Sequence, residues 1–320
     1  MSSKKIAIAF AFACVILLSC AKPHETSSKE VMFEVRSGET TSRIAERLDS
    51  LNVIKHPKLL KIKAKLRNLD RTLKQGIYRL HMNMSEDSVL VVLASGSIAT
   101  VTITIPEGMT LSQIAMKLDS AGLVNKDTFL RLACDKKLLE EFNIPFQSFE
   151  GCLFPDTYKF PVGIEPQDIL RMMAKRFFEV SEPFLRNSSL DTILILASIV
   201  EKEAYLDKER PIIASVFLNR LRKGMKLESC ATIEYALPEH KESLTYSDLR
   251  VNSPYNTYMN VGLPPGPICS PGKASLEASA RPKETKYLFF VSKGDGSHYF
   301  SQTAEEHEKM KLILNRKSGK

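Results

Sequence analysis

The sequence predicts an α+β chain, with a repeated strand–helix unit in its first half and then a larger α+β domain in which an acid closes a buried helix. Three observations carry this. A thirteen-residue segment recurs at an offset of 70 residues, and an almost wholly apolar run, Ile193–Val200, ends in Glu201-Lys202-Glu203. Short alternating strands are also interspersed with helix-period stretches. A chain with 43% hydrophobic and 26% charged residues is neither disordered, nor collagen-like, nor a multi-span membrane protein. Its 320 residues suffice for about two domains with real cores.

The first element reads as an export leader, residues 1–20. Lys4-Lys5 precedes an apolar run from Ile6 to Leu18, and those thirteen residues span about 20 Å as a helix, short of a ~30 Å hydrocarbon core. A basic start with a short apolar centre suits a signal peptide. Leu17-Leu18-Ser19-Cys20 resembles a bacterial lipobox, which makes Cys20 the lipidation site. An uncleaved signal anchor and a soluble exported form are the alternatives. Residues 21–31 are polar and read as a tether.

Next comes the repeat. Gly38-Glu-Thr-Thr-Ser-Arg-Ile-Ala-Glu-Arg-Leu-Asp-Ser50 faces Gly108-Met-Thr-Leu-Ser-Gln-Ile-Ala-Met-Lys-Leu-Asp-Ser120, with eight of thirteen positions identical. Each copy follows a short alternating strand, and Ile44/Ala45/Leu48 and Ile114/Ala115/Leu118 recur at helix spacing. Thr41 or Ser42, and Thr110 or Ser112, are the candidate N-caps. The unit reads strand, helix, helix, with Gly76–Leu80 as a further strand. Its opening resembles LysM modules, which bind amino-sugar glycans. The expected divisions are a LysM-like module over 32–100, a second copy over 101–140, and a catalytic domain over 141–320.

In that last region 169–180, 192–204 and 209–225 read as helices, the third with Pro211 in its first turn and Gly224 closing it. A loop-rich stretch, 253–268, leads to a strand over 287–292, a turn at 294–297 and His298-Tyr-Phe300.

The chemistry concentrates on the acids that end the apolar helix. A buried carboxyl is costly unless paired or used, and desolvation raises its pKa toward that of a general acid working near neutrality. Glu201 stacks over the smaller Ala197 and Ser198, leaving room for a substrate, whereas Glu203 stacks over Ile199 and Val200. Either acid can instead form a salt bridge with Lys202, Lys208 or Arg210. Periodicity does not choose between them.

The remaining composition is mostly exclusion. The +8 net charge suits any polyanion, whether nucleic acid, anionic lipid or an acidic wall polymer. No basic run is interleaved with aromatics and Trp is absent, which argues against nucleic acid as partner. Cys134, Cys152, Cys230 and Cys269 are widely spaced. They permit up to two disulfides outside the cytoplasm, or free thiols. The histidines form no ligand-spaced cluster with cysteine, so neither a metal site nor any cofactor is expected.

Six segments occur in order: Glu150–Tyr158 (EGCLFPDTY), Ala197–Glu203 (ASIVEKE), Ala214–Leu221 (ASVFLNRL), Tyr255–Tyr258 (YNTY), Gly262–Ile268 (GLPPGPI) and Pro271-Gly272. The series resembles the endolytic murein transglycosylase (YceG-like) family over residues 32 to 312. That resemblance implies a membrane-anchored, extracytoplasmic enzyme with LysM-like modules, whose partners are peptidoglycan glycan strands and which leaves room for peptidoglycan synthases. It implies Glu201 as the catalytic residue. Asn219, Arg220, Asn256 and Tyr258 are candidate cleft groups for sugar hydroxyls, N-acetyl carbonyls or carboxylates. Thr232 and Tyr235 remain from a family triplet in which Cys230 and Ala231 replace the usual Asp and Pro, with Glu228 or Glu234 as stand-ins. One acid then suffices: it protonates the MurNAc–GlcNAc oxygen and afterwards takes the proton of the C6 hydroxyl that closes a 1,6-anhydro ring. The competing readings are a non-catalytic wall-binding lipoprotein, and a hydrolase using Glu203, Glu209 or Asp248 as a second carboxylate.

Overall fold

Alternating inward residues and two amphipathic helices organise the first unit, which ends at Ala99. The computed structural model describes residues 29–317 apart from 71, 186–188, 240 and 242–243; the leader, Cys20 and most of the tether lie outside the described residues. Strand β1 (Glu30–Val35) pairs antiparallel with β2 (Gly76–His81), Phe33 opposite Tyr78. Helices α1 (Thr41–Ser50) and α2 (Pro57–Leu66) lie between the strands in sequence, and α3 (Glu86–Ser95) follows. Phe33, Val35, Ile44, Leu48, Leu60, Tyr78, Leu90 and Leu93 form a core belonging to this unit alone.

The second unit, from Thr100, begins with the same plan. Strand β3 (Thr100–Thr104) is followed by α4 (Leu111–Ser120), α5 (Lys126–Leu132), α6 (Lys136–Glu141), β4 (Thr157–Pro161) and α7 (Pro166–Leu185). β3 pairs antiparallel with β4, Ile103 opposite Tyr158. β3 therefore finds its partner beyond residue 140. The repeat is longer than the sequence alignment suggests: strand, helices, strand, helix. Even a tyrosine device recurs, since Tyr78 donates to the carbonyl of Lys74 and Tyr158 to that of Phe154, both at 2.6 Å. The offset grows from 70 at the glycines to 158 − 78 = 80 at the tyrosines, and α6 accounts for the inserted length. The caps also correspond: Thr40 accepts from Arg43 N, and Thr110 from Gln113 N in a reciprocal capping box. Thr110 is as expected; in the first copy the cap sits at Thr40 rather than Thr41 or Ser42.

The chain continues through α8 (Leu190–Glu203), α9 (Arg210–Arg222), α10 (Cys230–Ala236), α11 (Lys273–Ala280), β5 (Phe289–Ser292), β6 (His298–Ser301) and α12 (Ala304–Lys317). β5 and β6 form an antiparallel hairpin. The chain is α+β, with three two-stranded sheets among the described residues.

Helix α8 explains its own composition. Ile193, Leu194 and Ala197 belong to the core shared with β3, β4 and α7, whereas Ile195, Leu196, Ile199 and Val200 belong to a second core with α9 and α10. A helix walled on both sides must be apolar all round. Its one interior hydroxyl, Ser198, donates to the Ile195 carbonyl at 2.7 Å and accepts from Ile268 N at 3.0 Å, fastening the Pro-rich 262–270 segment to the helix. Among the described residues no helix is long and apolar enough to cross a membrane. The four described cysteines are free, Cys152 and Cys269 buried, Cys134 and Cys230 exposed.

Candidate active site

The two acids at the end of α8 have unlike surroundings. Glu201 sits in a cradle of hydrogen-bond donors. Arg210 donates to its Oε1 at 3.1 Å, and Gly272 N and Ser275 Oγ donate to Oε2 at 2.9 and 2.8 Å. Both members of the ion pair are buried, with side-chain exposures of 8% for Arg210 and 6% for Glu201. The space left by the small residues beside Glu201 on α8 is taken up by α11, whose Ser275 is one of the donors. A Cβ at Gly272 would meet the Glu107 carboxylate, so any larger residue there displaces that side chain. Burial and the charge of Glu201 in turn push the Glu107 carboxyl up.

Glu203 faces the other way, onto a cavity of about 430 Å³ lined also by Arg220, Glu228, Cys230, Tyr258, Phe289 and Phe290. Burial pushes its carboxyl above the usual range, and only hydrogen bonds from the Ser229 hydroxyl and Ala231 N and the nearby His298 pull it back. It has no ion-pair partner among the described residues. It is surrounded by protein yet keeps a partly exposed face. Of the other carboxylates on the cavity wall, Glu228 is paired with Arg220 at 3.0 Å, and Glu308, largely exposed, lies 3.7 Å from Lys311. Glu228 holds a left-handed backbone (φ 52°), a strained state for a non-glycine residue. A carboxyl pushed up by desolvation, open to a cavity and without an ion-pair partner among the described residues, is suited to give a proton, whereas the Glu201 carboxyl is tied up by an arginine, a hydroxyl and an amide.

Of the other residues singled out in the sequence, Tyr258 and Arg220 share this cavity with Glu203. Tyr258 Oη lies 3.2 Å from Cys230 Sγ. Arg220 is committed to structure: it donates to the carbonyls of Leu288, Lys226 and Leu227 besides Glu228, and stacks 5.1 Å over Phe289. Asn219 donates to the carbonyls of Thr285 and Tyr287. Asn256 is fully buried, donating to Leu249 and Val251 and accepting from Tyr258 N, so it shapes the loop that presents Tyr258. Thr232 is buried and bonded to the Ser229 carbonyl and Thr257 hydroxyl. Asn219, Thr232 and Asn256 do not line this cavity; their hydrogen bonds run to the residues around it. The candidate second carboxylates are also occupied, Glu209 by His298 and Asp248 by Lys241 and Thr245.

Tyr235 lies in a separate cavity of about 460 Å³ with Glu150, Lys202 and Glu234. Glu150 is the functional-looking residue that spacing does not single out, a lone acid in an apolar stretch. It accepts from Leu111 N at 3.0 Å and from Tyr235 Oη at 3.3 Å, and burial pushes its carboxyl up to about 7. A carboxyl raised from 4.5 in this way stabilises the fold fully below pH 4.5, and that contribution is lost as pH rises through about 7. Relative to Glu150→Gln, the wild type is therefore expected to lose roughly 3 kcal/mol over that window. Urea unfolding at a series of pH values reads the difference; parallel curves would refute the assignment.

Residues 33–312 match the profile of the YceG-like family. The chain is 34% identical to the endolytic murein transglycosylase of Bacillus subtilis over 92% of its own length and 87% of the relative's. It is 29% identical to the endolytic murein transglycosylase of Streptococcus pneumoniae over 93% of its length, spanning 61% of that longer protein. It also resembles a crystal structure of a yceG-like protein from Listeria monocytogenes, with TM-score 0.61 and 34% identity over 88% of this chain and 98% of that one. On the extent of that match the chain belongs to the YceG-like family.

Proposed function

We propose that this chain is an endolytic lytic transglycosylase that cuts the MurNAc–GlcNAc bond within peptidoglycan strands and leaves 1,6-anhydroMurNAc ends. The observation that carries the reading is a single unpaired, desolvated carboxyl on a cavity whose other carboxylates are ion-paired. We assign that role to Glu203, two residues beyond the Glu201 that the family resemblance suggests. Glu203 protonates the glycosidic oxygen. As a carboxylate, steadied by the Ser229 hydroxyl and Ala231 N, it then takes the proton of the C6 hydroxyl as that oxygen attacks C1. Glu201 and Arg210 hold the end of α8 and so aim Glu203. The names of the relatives support the substrate class.

The first unit is proposed to grip glycan as a LysM-like module. A polar groove of about 660 Å³ between the β1–α1 loop (Arg36–Ser42) and Lys61, Lys65, Asp70 and Gln75 suits a polyhydroxylated ligand. The proposed order is leader, tether, module over 32–100, a second copy that starts at 101 and runs on through β4 and α7 rather than ending at 140, and the catalytic part beyond it to 320. The acylated Cys20, or an uncleaved leader, holds the enzyme on the outer side of the cytoplasmic membrane, and synthases that make the strands are proposed neighbours. Cys20→Ala is expected to abolish incorporation of a labelled fatty acid and to leave an unprocessed chain; an unlabelled wild type would favour an uncleaved anchor instead.

The test of function is the length distribution of glycan strands after digestion of purified sacculi. Progressive shortening supports an endolytic enzyme. Strands that sediment with the protein at unchanged length would mean a binding module only.

A further inference from the structure

The segment Lys55-His-Pro-Lys-Leu-Leu-Lys-Ile-Lys-Ala-Lys-Leu-Arg67 carries six cations and no acid. It folds as α2, which turns Leu60 and Ala64 into the core of the first unit and leaves Leu59, Ile62 and Leu66 exposed at 38%, 57% and 78%. At 100° per residue those three fall within a sector of about 60°, pointing away from the core-facing side. Lys58 and Lys65 flank this stripe on one side, Lys63 and Arg67 on the other. Lys63 and Arg67 are tied to Asp87, whereas Lys55, Lys58 and Lys65 are exposed and carry no ion pair among the described residues. An exposed apolar stripe between rows of cations, on a helix already fixed by its opposite face, matches the interfacial surface of an anionic bilayer. Few protein surfaces offer both an apolar interior and a dense negative boundary.

We propose that the outer face of α2 is a lipid-docking surface by which the first unit lies against an anionic membrane. The geometry fits an anchored chain: ten residues separate Cys20 from Glu30, a reach of at most about 35 Å fully extended, which keeps this unit beside the bilayer. Docking holds the module at the membrane face, where newly polymerised strands emerge. The inference rests on the anchored reading only for that local concentration, and the two can fail separately.

The chain has no tryptophan, so Ile62→Trp installs a single reporter on the stripe and Val91→Trp, exposed at 60% on α3, a control. The full chain is reconstituted into phosphatidylglycerol or phosphatidylcholine vesicles at low salt, and co-sedimentation with the neutral vesicles reports the anchor independently. In phosphatidylglycerol the emission at position 62 should shift to shorter wavelength and be quenched by brominated acyl chains, while that at position 91 should not. Added salt or Lys55→Glu/Lys58→Glu should reverse the effect. Equal quenching at both positions, no shift at 62 in anionic vesicles of a chain that does sediment, or a shift without vesicles that grows with protein concentration would overturn the proposal, the last pointing to a second copy as the occupant.

Discussion

Glu203→Gln is expected to lower strand cleavage by roughly 10²–10⁴-fold, the usual cost of losing acid–base catalysis, with the fold intact. Glutamine keeps the shape and still accepts from Ser229, but has no proton to give. The wild-type rate should also fall as pH rises through the elevated pKa of Glu203, because the cycle begins with the protonated form. Glu201→Gln should behave differently. It leaves the cavity unaltered but removes the negative charge opposite Arg210, so its effect should be mainly on stability. If Glu201→Gln is the inactive, well-folded variant and Glu203→Gln cleaves normally, the roles are reversed.

Arg210→Ala should be the most destabilising of the site substitutions. It strands the Glu201 carboxylate in a buried setting with only Gly272 N and Ser275 Oγ for company. Breaking a buried pair by removing one partner typically costs about 3–5 kcal/mol. It also frees Asp207, the other acid that Arg210 holds, at 2.9 Å. Urea unfolding followed by circular dichroism measures the loss. A change below about 1 kcal/mol would mean the pair is not the structural tie described here. Restoring size without charge, as Arg210→Met, should recover only part of the loss, since the carboxylate remains unpaired.

The contrast between these two acids shows where sequence reasoning reached and where it stopped. Periodicity was enough for α8, α9, the β5–β6 hairpin and the opening of both repeat copies, since those patterns are local. It stopped at β4, whose pairing with β3 spans more than fifty residues, and so the second copy looked shorter than it is. The small residues beside Glu201 read equally as room for substrate or room for a helix, and only α11, more than seventy residues later, decides between them. Asn256 and Thr232 are polar and near the motifs, but the loop partners they bond, among them the Leu249 and Val251 carbonyls and the Thr257 hydroxyl, lie where no local pattern shows them. Glu150 had no spacing to betray it; its significance comes from Leu111 N and Tyr235, brought to it by the fold.

The most direct measurement of the central claim is the mass of the reducing-end muropeptides released from purified sacculi by the wild-type enzyme. With one acid and the C6 hydroxyl as nucleophile, every new end should be 1,6-anhydroMurNAc, lighter than the hydrolytic product by one water. An intramolecular hydroxyl held near C1 can outcompete solvent by orders of magnitude, so hydrolytic ends should be a minor species. Predominantly reducing MurNAc ends would contradict the account, for they require a second free carboxylate to activate water where Glu228 and Glu308 are instead held by Arg220 and Lys311.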